Sequence, residues 1–137
     1  MFLLDTNVVS EWVRPQPNSA VIAWLNEVDE DRVFLSVMTL TELRYGIERL
    51  PPSKRRQRLQ DWLDDELTLR FEARILGIDE TIANACGVLL AQREVAGRPF
   101  GAIDACLAAT AKVHDLTLVT RNDSDFKGAV RCLNPWI

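Results

Sequence analysis

The chain has 137 residues, of which 47% are hydrophobic and 26% charged, and its formal net charge at pH 7 is −4. This composition is typical of a globular protein, and the length suits one domain over residues 1–137. No apolar run approaches the ~20 residues that span a bilayer, and the first residues lack the pattern of a signal peptide. We therefore expect a cytoplasmic protein without a membrane partner, in which Cys86, Cys106 and Cys132 are reduced thiols.

Short apolar strands alternate with amphipathic helices along the chain. In chain order, the pattern predicts a strand at 1–4, helices beginning near 8 and at 20–25, a strand at 32–36, a helix at 39–46, a helix opened by Ser53, a strand within 73–78, helices at 79–95 and 102–111, and strands at 116–120 and 129–133. This alternation predicts the α/β class: a three-layer α/β/α domain with a central parallel sheet of four to five strands.

The first predicted strand runs directly into Asp5, where a buried carboxylate is costly unless something pairs with it. One interpretation is capping, in which Asp5, Thr6 or Asn7 accepts hydrogen bonds from the first amides of the next helix. The other interpretation is a bound metal ion. The two are distinguished by whether further carboxylates arrive at equivalent places in the sheet.

Further acidic residues follow at corresponding places. Glu42 lies early in the helix after the second strand, Asp104 lies in the first turn of the helix before the fourth, and Asp123 and Asp125 follow the fourth strand. In a parallel sheet these positions meet outside the carboxyl ends of the strands, where ligands bind. Carboxylates held together repel and raise each other's pKa, and Mg²⁺ or Mn²⁺, singly or as a pair, would relieve that repulsion.

The remaining chemistry-bearing residues narrow the reaction. The one histidine, His114, makes a Ser-His-Asp triad or a histidine-rich metal site improbable, and no serine or cysteine lies in a nucleophile motif. A site made only of acids favours metal-dependent hydrolysis of a phosphodiester. Bound metal ions would also explain how a chain of charge −4 could bind RNA.

Four segments together resemble one family across essentially the whole chain: LLDTNVVSE, TLTELRYGI, AIDACLAATAKVHDLTLVTRNDSDF and the closing LNPW. They resemble PIN-domain ribonucleases, and more narrowly the VapC toxins of VapBC toxin–antitoxin pairs, including the FitB-like members. The resemblance implies a PIN-like α/β/α domain and a magnesium-dependent endoribonuclease toxin. It also implies a homodimer that is neutralised by a small VapB-like antitoxin, which itself binds operator DNA.

The resemblance also assigns site residues by motif. Asp5, Glu42 and Asp104 match the first three acids of the family, with Asp5 and Asp104 as metal ligands. Thr6 and Asn7 match its D-T-N motif, in which their side chains hold Asp5 in position from outside the metal's ligand shell.

The fourth acid is less certain, because this chain has Asn122 where some relatives have an acid directly after T-R. We favour Asp125, which precedes Phe126 in the family's D-F pair, with Asn122 as an orienting neutral ligand. Asp123 is the alternative.

Several assignments besides the acids follow from position. Arg44 and Arg121 are candidates either for phosphate contact or for offsetting the acidic charge. Trp12 and Trp24 are candidate anchors for the antitoxin, which would also insert a basic residue among the acids.

Other functions are weaker but distinct. A phosphatase with an aspartyl nucleophile commonly needs a second acid two residues further on, and Asn7 occupies that position. A catalytically degenerate PIN-fold binding module and a stand-alone RNA-processing nuclease are the remaining alternatives.

Overall fold

The computed structural model describes residues 1–137, and it contains five strands and seven α-helices. The strands are β1 Phe2–Leu4, β2 Val33–Ser36, β3 Ile75–Leu76, β4 Thr117–Val119 and β5 Cys132–Leu133. The helices are α1 Thr6–Val9, α2 Ser19–Glu27, α3 Val37–Glu48, α4 Lys54–Asp61, α5 Thr68–Arg70, α6 Glu80–Val95 and α7 Ala102–Val113. None of the helices has both the length and the apolar character that crossing a membrane requires.

The five strands form one parallel sheet in the order β3-β2-β1-β4-β5. The strand order therefore reverses between β1 and β4, which pair in the register Leu3 with Leu118 and Leu4 with Val119. In open α/β sheets such a reversal leaves a crevice at the carboxyl ends of the two strands, where ligands bind. Asp5 and Thr120 are the residues that follow these two strands.

The helices cover both faces of the sheet. Leu4 packs in one hydrophobic cluster with residues of α2, α3 and the α4–α5 segment, whereas Leu3 packs in the other with residues of α6 and α7. Successive side chains of a strand point to opposite faces, so one short strand contributes to both layers. The predicted three-layer α/β/α architecture is confirmed.

The helices begin where the sequence places capping side chains. Asn18 accepts from the amide of Ala20 at the start of α2, Ser36 accepts from Met38 at α3, and Asp79 accepts from Ile82 at α6. These bonds satisfy amides that have no partner inside the helix. The last strand is shorter than predicted, because only two residues of the segment 129–133 pair with β4.

One feature of the helical layer is not predicted by the sequence pattern. The helix opened by Ser53 continues from α4 into α5 through a π-helical turn, Trp62–Leu67. Leu63, Leu67 and Phe71 are all buried and follow one another at intervals of four residues. An α-helix has 3.6 residues per turn, so a four-residue repeat drifts around its surface, and the wider π turn keeps these side chains facing the core.

Candidate active site

Asp5 is buried at the carboxyl end of β1, with 6% of its surface exposed. Its Oδ1 accepts a 2.7 Å hydrogen bond from the amide of Thr6 and caps α1, while Oδ2 accepts a 2.8 Å bond from the hydroxyl of Thr120. The capping interpretation is therefore correct. It accounts for one carboxylate oxygen, and the second is held by a side chain from the neighbouring strand.

The electrostatic environment disfavours ionised Asp5. Burial is the largest effect and raises its pKa above the ordinary value, the Thr120 hydroxyl and the Thr6 amide lower it in part, and the charges of Asp104 and Glu42 raise it further. A carboxylate in this position gains from a nearby cation.

Two more acids face the same crevice. Glu42 projects from α3, and its Oε1 accepts a 2.6 Å hydrogen bond from the hydroxyl of Thr6. Asp104 lies in the first turn of α7, and its pKa is raised first by burial and then by the charges of Glu42 and Asp125. The structure thus brings Asp5, Glu42, Asp104 and Asp125 within electrostatic reach of one another, and we call these four residues the acid set.

The two candidates for the fourth acid have different surroundings. Asp125 is exposed and lines a cavity together with Asp104. Asp123 is half-buried, and its Oδ1 accepts a 3.1 Å bond from the side-chain amide of Asn134. Asp123 therefore holds the closing N-P-W segment, whereas Asp125 faces the site. This placement favours Asp125.

The predicted supporting residues lie around Asp5, but the side chain of Thr6 does not hold it: the Thr6 hydroxyl donates to Glu42, and only its backbone amide reaches Asp5. Asn7 donates a long 3.5 Å bond to Oδ2 of Asp5, and its own Oδ1 accepts from the amide of Arg121 at 3.3 Å. The amide of Asn122 donates to the Thr120 hydroxyl at 3.0 Å, while the Asn122 side chain is exposed and has no recorded partner. Asn122 thus supports Thr120 through its backbone, and a role of its side chain as a neutral ligand stays a prediction.

Both arginines proposed for phosphate contact have partners outside the acid set. Arg44 forms an ion pair with Asp64, and the guanidinium of Arg121 lies 5.5 Å from the centre of the Trp136 ring. Arg44 thus joins α3 to the π turn and Arg121 covers the closing segment, while their contact with phosphate stays a prediction.

The proposed tryptophan anchors are likewise packed. Trp24 meets Phe2 edge-on with ring centres 5.3 Å apart, and Trp12 lies between Phe71 and the guanidinium of Arg70. Both rings are partly buried and pack against the core, and their contact with an antitoxin stays a prediction.

Two buried polar residues have roles that the sequence reasoning missed. Thr120 is fully buried and holds Asp5, as described above. The sequence feature that could have indicated this role is its position, because Thr120 directly follows β4 just as Asp5 directly follows β1. Glu11 is also buried, but it accepts from the amide of Asn18 and pairs with Arg14, which makes it structural.

The donor atoms of the acid set are all carboxylate oxygens. No group of three or more His, Cys, Asp or Glu side chains is close enough to form a metal cage. The acid set is therefore more open than the sequence predicts. Mg²⁺ commonly uses only one or two carboxylates and completes its octahedron with waters and substrate phosphates. All-oxygen donors with raised carboxyl pKa values fit such an ion.

Comparison with known proteins places the chain in a family. The PIN domain profile matches residues 2–130. Toxin FitB of Neisseria gonorrhoeae is 41% identical over 99% of this chain and 99% of its own length. VapC ribonuclease Y4jK of Sinorhizobium fredii is 36% identical over 99% of this chain and 98% of its own length. A chain in the structure of FitAB bound to an IR36 DNA fragment matches with a TM-score of 0.94 and 38% identity, over 100% of this chain and 96% of that one. The chain belongs to the PIN-domain family, within the group that contains FitB and the VapC ribonucleases.

Proposed function

We propose that the protein is a magnesium-dependent endoribonuclease that hydrolyses phosphodiester bonds of RNA, with Mn²⁺ as a possible substitute ion. The observation that carries this proposal is Asp5, a buried carboxylate with a raised pKa at the strand-order reversal, facing two further acids. Glu11, the other buried acid, pairs with Arg14, whereas Asp5 has no basic partner, so a bound cation would offset the cost of its burial. The naming of one relative as a VapC ribonuclease supports the same reaction.

Asp5 and Asp104 would hold the ion, which when bound acts as a Lewis acid on the phosphoryl group and lowers the pKa of water. The chain's own residues set the geometry. Thr6 and Thr120 fix the two oxygens of Asp5, so the carboxylate does not reorient when the substrate arrives.

Glu42 is the acid suited to orient the attacking water. The Thr6 hydroxyl occupies its Oε1 and no contact occupies Oε2, which is therefore free to accept a proton from water. The oxygen of that water attacks phosphorus, the bond from phosphorus to the departing ribose oxygen breaks, and that oxygen takes up a proton. Asp125 is the fourth acid of this proposal.

The direct test is cleavage of a defined RNA by the purified chain in Mg²⁺, in Mn²⁺ and in excess EDTA. We expect fragments in both metal ions, none in EDTA, and recovery when Mg²⁺ is restored. Sequencing the 5′ ends of the fragments would identify the cleaved positions. Full activity in excess chelator would contradict the metal mechanism, and RNA binding without cleavage under all conditions would indicate a degenerate binding module.

We also propose that the protein is a toxin held inactive by a cognate VapB-like antitoxin in the cytoplasm, as a homodimer that can join its antitoxin on operator DNA. The matching FitAB structure contains DNA, which supports this assembly. An apolar groove of about 220 Å³ reaches the site at Thr6 and Glu42. Its apolar lining is Val13, Leu43, Ile47, Leu50, Leu59 and Trp62.

This groove can be tested without changing the acid set. Leu50→Asp would place a charge in the groove, and we expect it to weaken co-purification with the antitoxin while RNA cleavage persists. Leu69→Asp is the matched control, because Leu69 is 66% exposed and lies outside the groove. Equal binding of the antitoxin by both variants would contradict this docking site. A chain that cleaves RNA but is inhibited by no co-expressed partner would contradict the toxin proposal and leave the nuclease proposal intact.

A further inference from the structure

A second cavity opens beside Asp104 and Asp125, on the side of the site formed by α6 and the loop before α7. Its volume is about 330 Å³. It is lined by Arg93, Arg98, Pro99, Phe100, Asp104 and Asp125. Two acids and two arginines therefore line the same cavity, and such a mixture of charges suits a metal ion and a phosphate group held side by side.

The backbone of Arg98 is fixed by the end of α6. Gly97 adopts the left-handed conformation with φ +73°, and its amide donates to the carbonyl of Glu94 at 3.0 Å. The amide of Arg98 then donates back to the carbonyl of Arg93 at 2.9 Å. This helix-ending turn favours glycine, and Pro99 restricts the backbone of the residue before it, Arg98. Arg98 is thus presented at a set position.

The two arginines of the cavity have different contacts. Arg93 donates to the carbonyls of Asp125 and Lys127 at 2.6 and 3.3 Å, and its guanidinium lies 4.1 Å from the centre of the Phe100 ring. Its role is to hold the loop that carries Asp125. Arg98 is exposed, donates one 3.2 Å bond to the carbonyl of Ser124 and takes part in none of the ion pairs. Most of its donors are free.

The other arginines near the acid set lie outside this cavity. Arg14 pairs with Glu11 and Arg44 with Asp64, whereas Arg55 and Arg121 take part in no ion pair. Among the arginines with free donors, Arg98 is the one that lines the cavity beside Asp104 and Asp125. A chain of net charge −4 needs local cations to hold a polyphosphate, and free guanidinium donors match the oxygens of a phosphate group.

We propose that Arg98 binds a backbone phosphate of the RNA next to the bond that is cleaved, within the cavity between α6 and the acid set. This inference rests on the proposed ribonuclease function and deepens it. Arg98 would bind substrate, so its loss should change the affinity for RNA, whereas loss of one of the acids should change the rate of cleavage.

The test compares Arg98→Ala with Arg98→Lys and with Arg131→Ala. Arg131 is exposed and pairs with Asp115 beside the start of β4, at the opposite end of the sheet from the acid set. Arg131→Ala therefore changes the net charge by the same amount as Arg98→Ala but far from the site. Cleavage of a defined single-stranded RNA gives KM and kcat. Binding of the same RNA in EDTA, measured at several salt concentrations, gives affinity without reaction.

We expect Arg98→Ala to raise KM and weaken RNA binding roughly 5- to 20-fold, with kcat changed less than about 3-fold. The plot of log affinity against log salt should become shallower by about 0.7, the loss of one phosphate contact on a single strand. Arg98→Lys should recover part of the affinity and the full slope, and Arg131→Ala should match the wild type.

A merely structural role for Arg98 would lower the melting temperature or kcat without changing the salt slope. If the wild type cleaves RNA and Arg98→Ala has the same KM and the same salt slope, the phosphate assignment of Arg98 is overturned while the ribonuclease proposal stands. A wild type that neither cleaves nor binds RNA would overturn the ribonuclease proposal and this inference with it.

Discussion

The hydroxyl of Thr120 donates a 2.8 Å hydrogen bond to Oδ2 of Asp5, and both residues are buried. They follow β4 and β1, the neighbouring strands between which the strand order reverses. The bond therefore joins the two sides of the crevice. It also lowers the pKa of Asp5 against the larger effect of burial, which keeps the carboxylate closer to its metal-binding form.

Replacing Thr120 tests this relationship. Thr120→Val keeps the shape of the side chain and removes the donor, so we expect cleavage to fall ~10- to 100-fold, as for the loss of a residue that orients a metal ligand. Unfolding free energy should fall by about 1 kcal/mol. Thr120→Ser restores the hydroxyl and should recover most of the activity. Equal loss in both variants would indicate a packing effect.

The raised pKa of Asp5 predicts a pH dependence of stability in the absence of metal. A folded-state pKa above the unfolded value of about 3.8 means that the folded protein favours protonated Asp5. That stabilisation is complete below the unfolded pKa and is lost as pH rises through the folded pKa.

Asp5→Asn cannot ionise and its side-chain oxygen can still cap α1. In EDTA, we expect its advantage over the wild type in unfolding free energy to be small near pH 4 and to grow toward pH 7. Denaturant titrations across this range measure the difference, with the exposed Asp65→Asn as control. A constant difference at all pH values would contradict the raised pKa.

The contacts of the loop after β4 separate its two acids. Asp125→Ala should reduce cleavage more than Asp123→Ala, because Asp125 faces Asp104 across the cavity. Asp123→Ala should reduce stability more, because it loses the bond from Asn134. Cleavage rates and melting temperatures of the two variants are measured side by side, and the reverse ranking in cleavage would make Asp123 the fourth acid.

Much of this fold is predictable from local patterns. The strand after Met1 and the small-residue helix around Ala105 and Ala108 have strong periodicity and clear ends, and both appear as predicted. The alternation of strands and helices leaves few topologies, so the placement of Asp5 and Asp104 at one edge of the sheet follows from the chain order.

The details that sequence reasoning missed depend on distant contacts. Thr120 and Asp5 are far apart in the chain, and no local pattern reports that their side chains meet. The same holds for Arg44, whose ion pair with Asp64 depends on how the π turn orients that segment. Trp12 and Trp24 illustrate the general difficulty, because an aromatic residue at helical spacing can face the core or a partner equally well.

The central claim is that Asp5 and Asp104 hold the ion that cleavage needs. Its most direct test is the Mg²⁺-dependent cleavage rate of Asp5→Asn and Asp104→Asn beside Asp65→Asn, an equal change of charge at an exposed acid outside the acid set. We predict that the cleavage rates of Asp5→Asn and Asp104→Asn fall by more than the ~10- to 100-fold expected for the loss of an orienting residue, at every Mg²⁺ concentration. Asp65→Asn should cleave at the wild-type rate. Wild-type cleavage by either Asp5→Asn or Asp104→Asn would contradict the account.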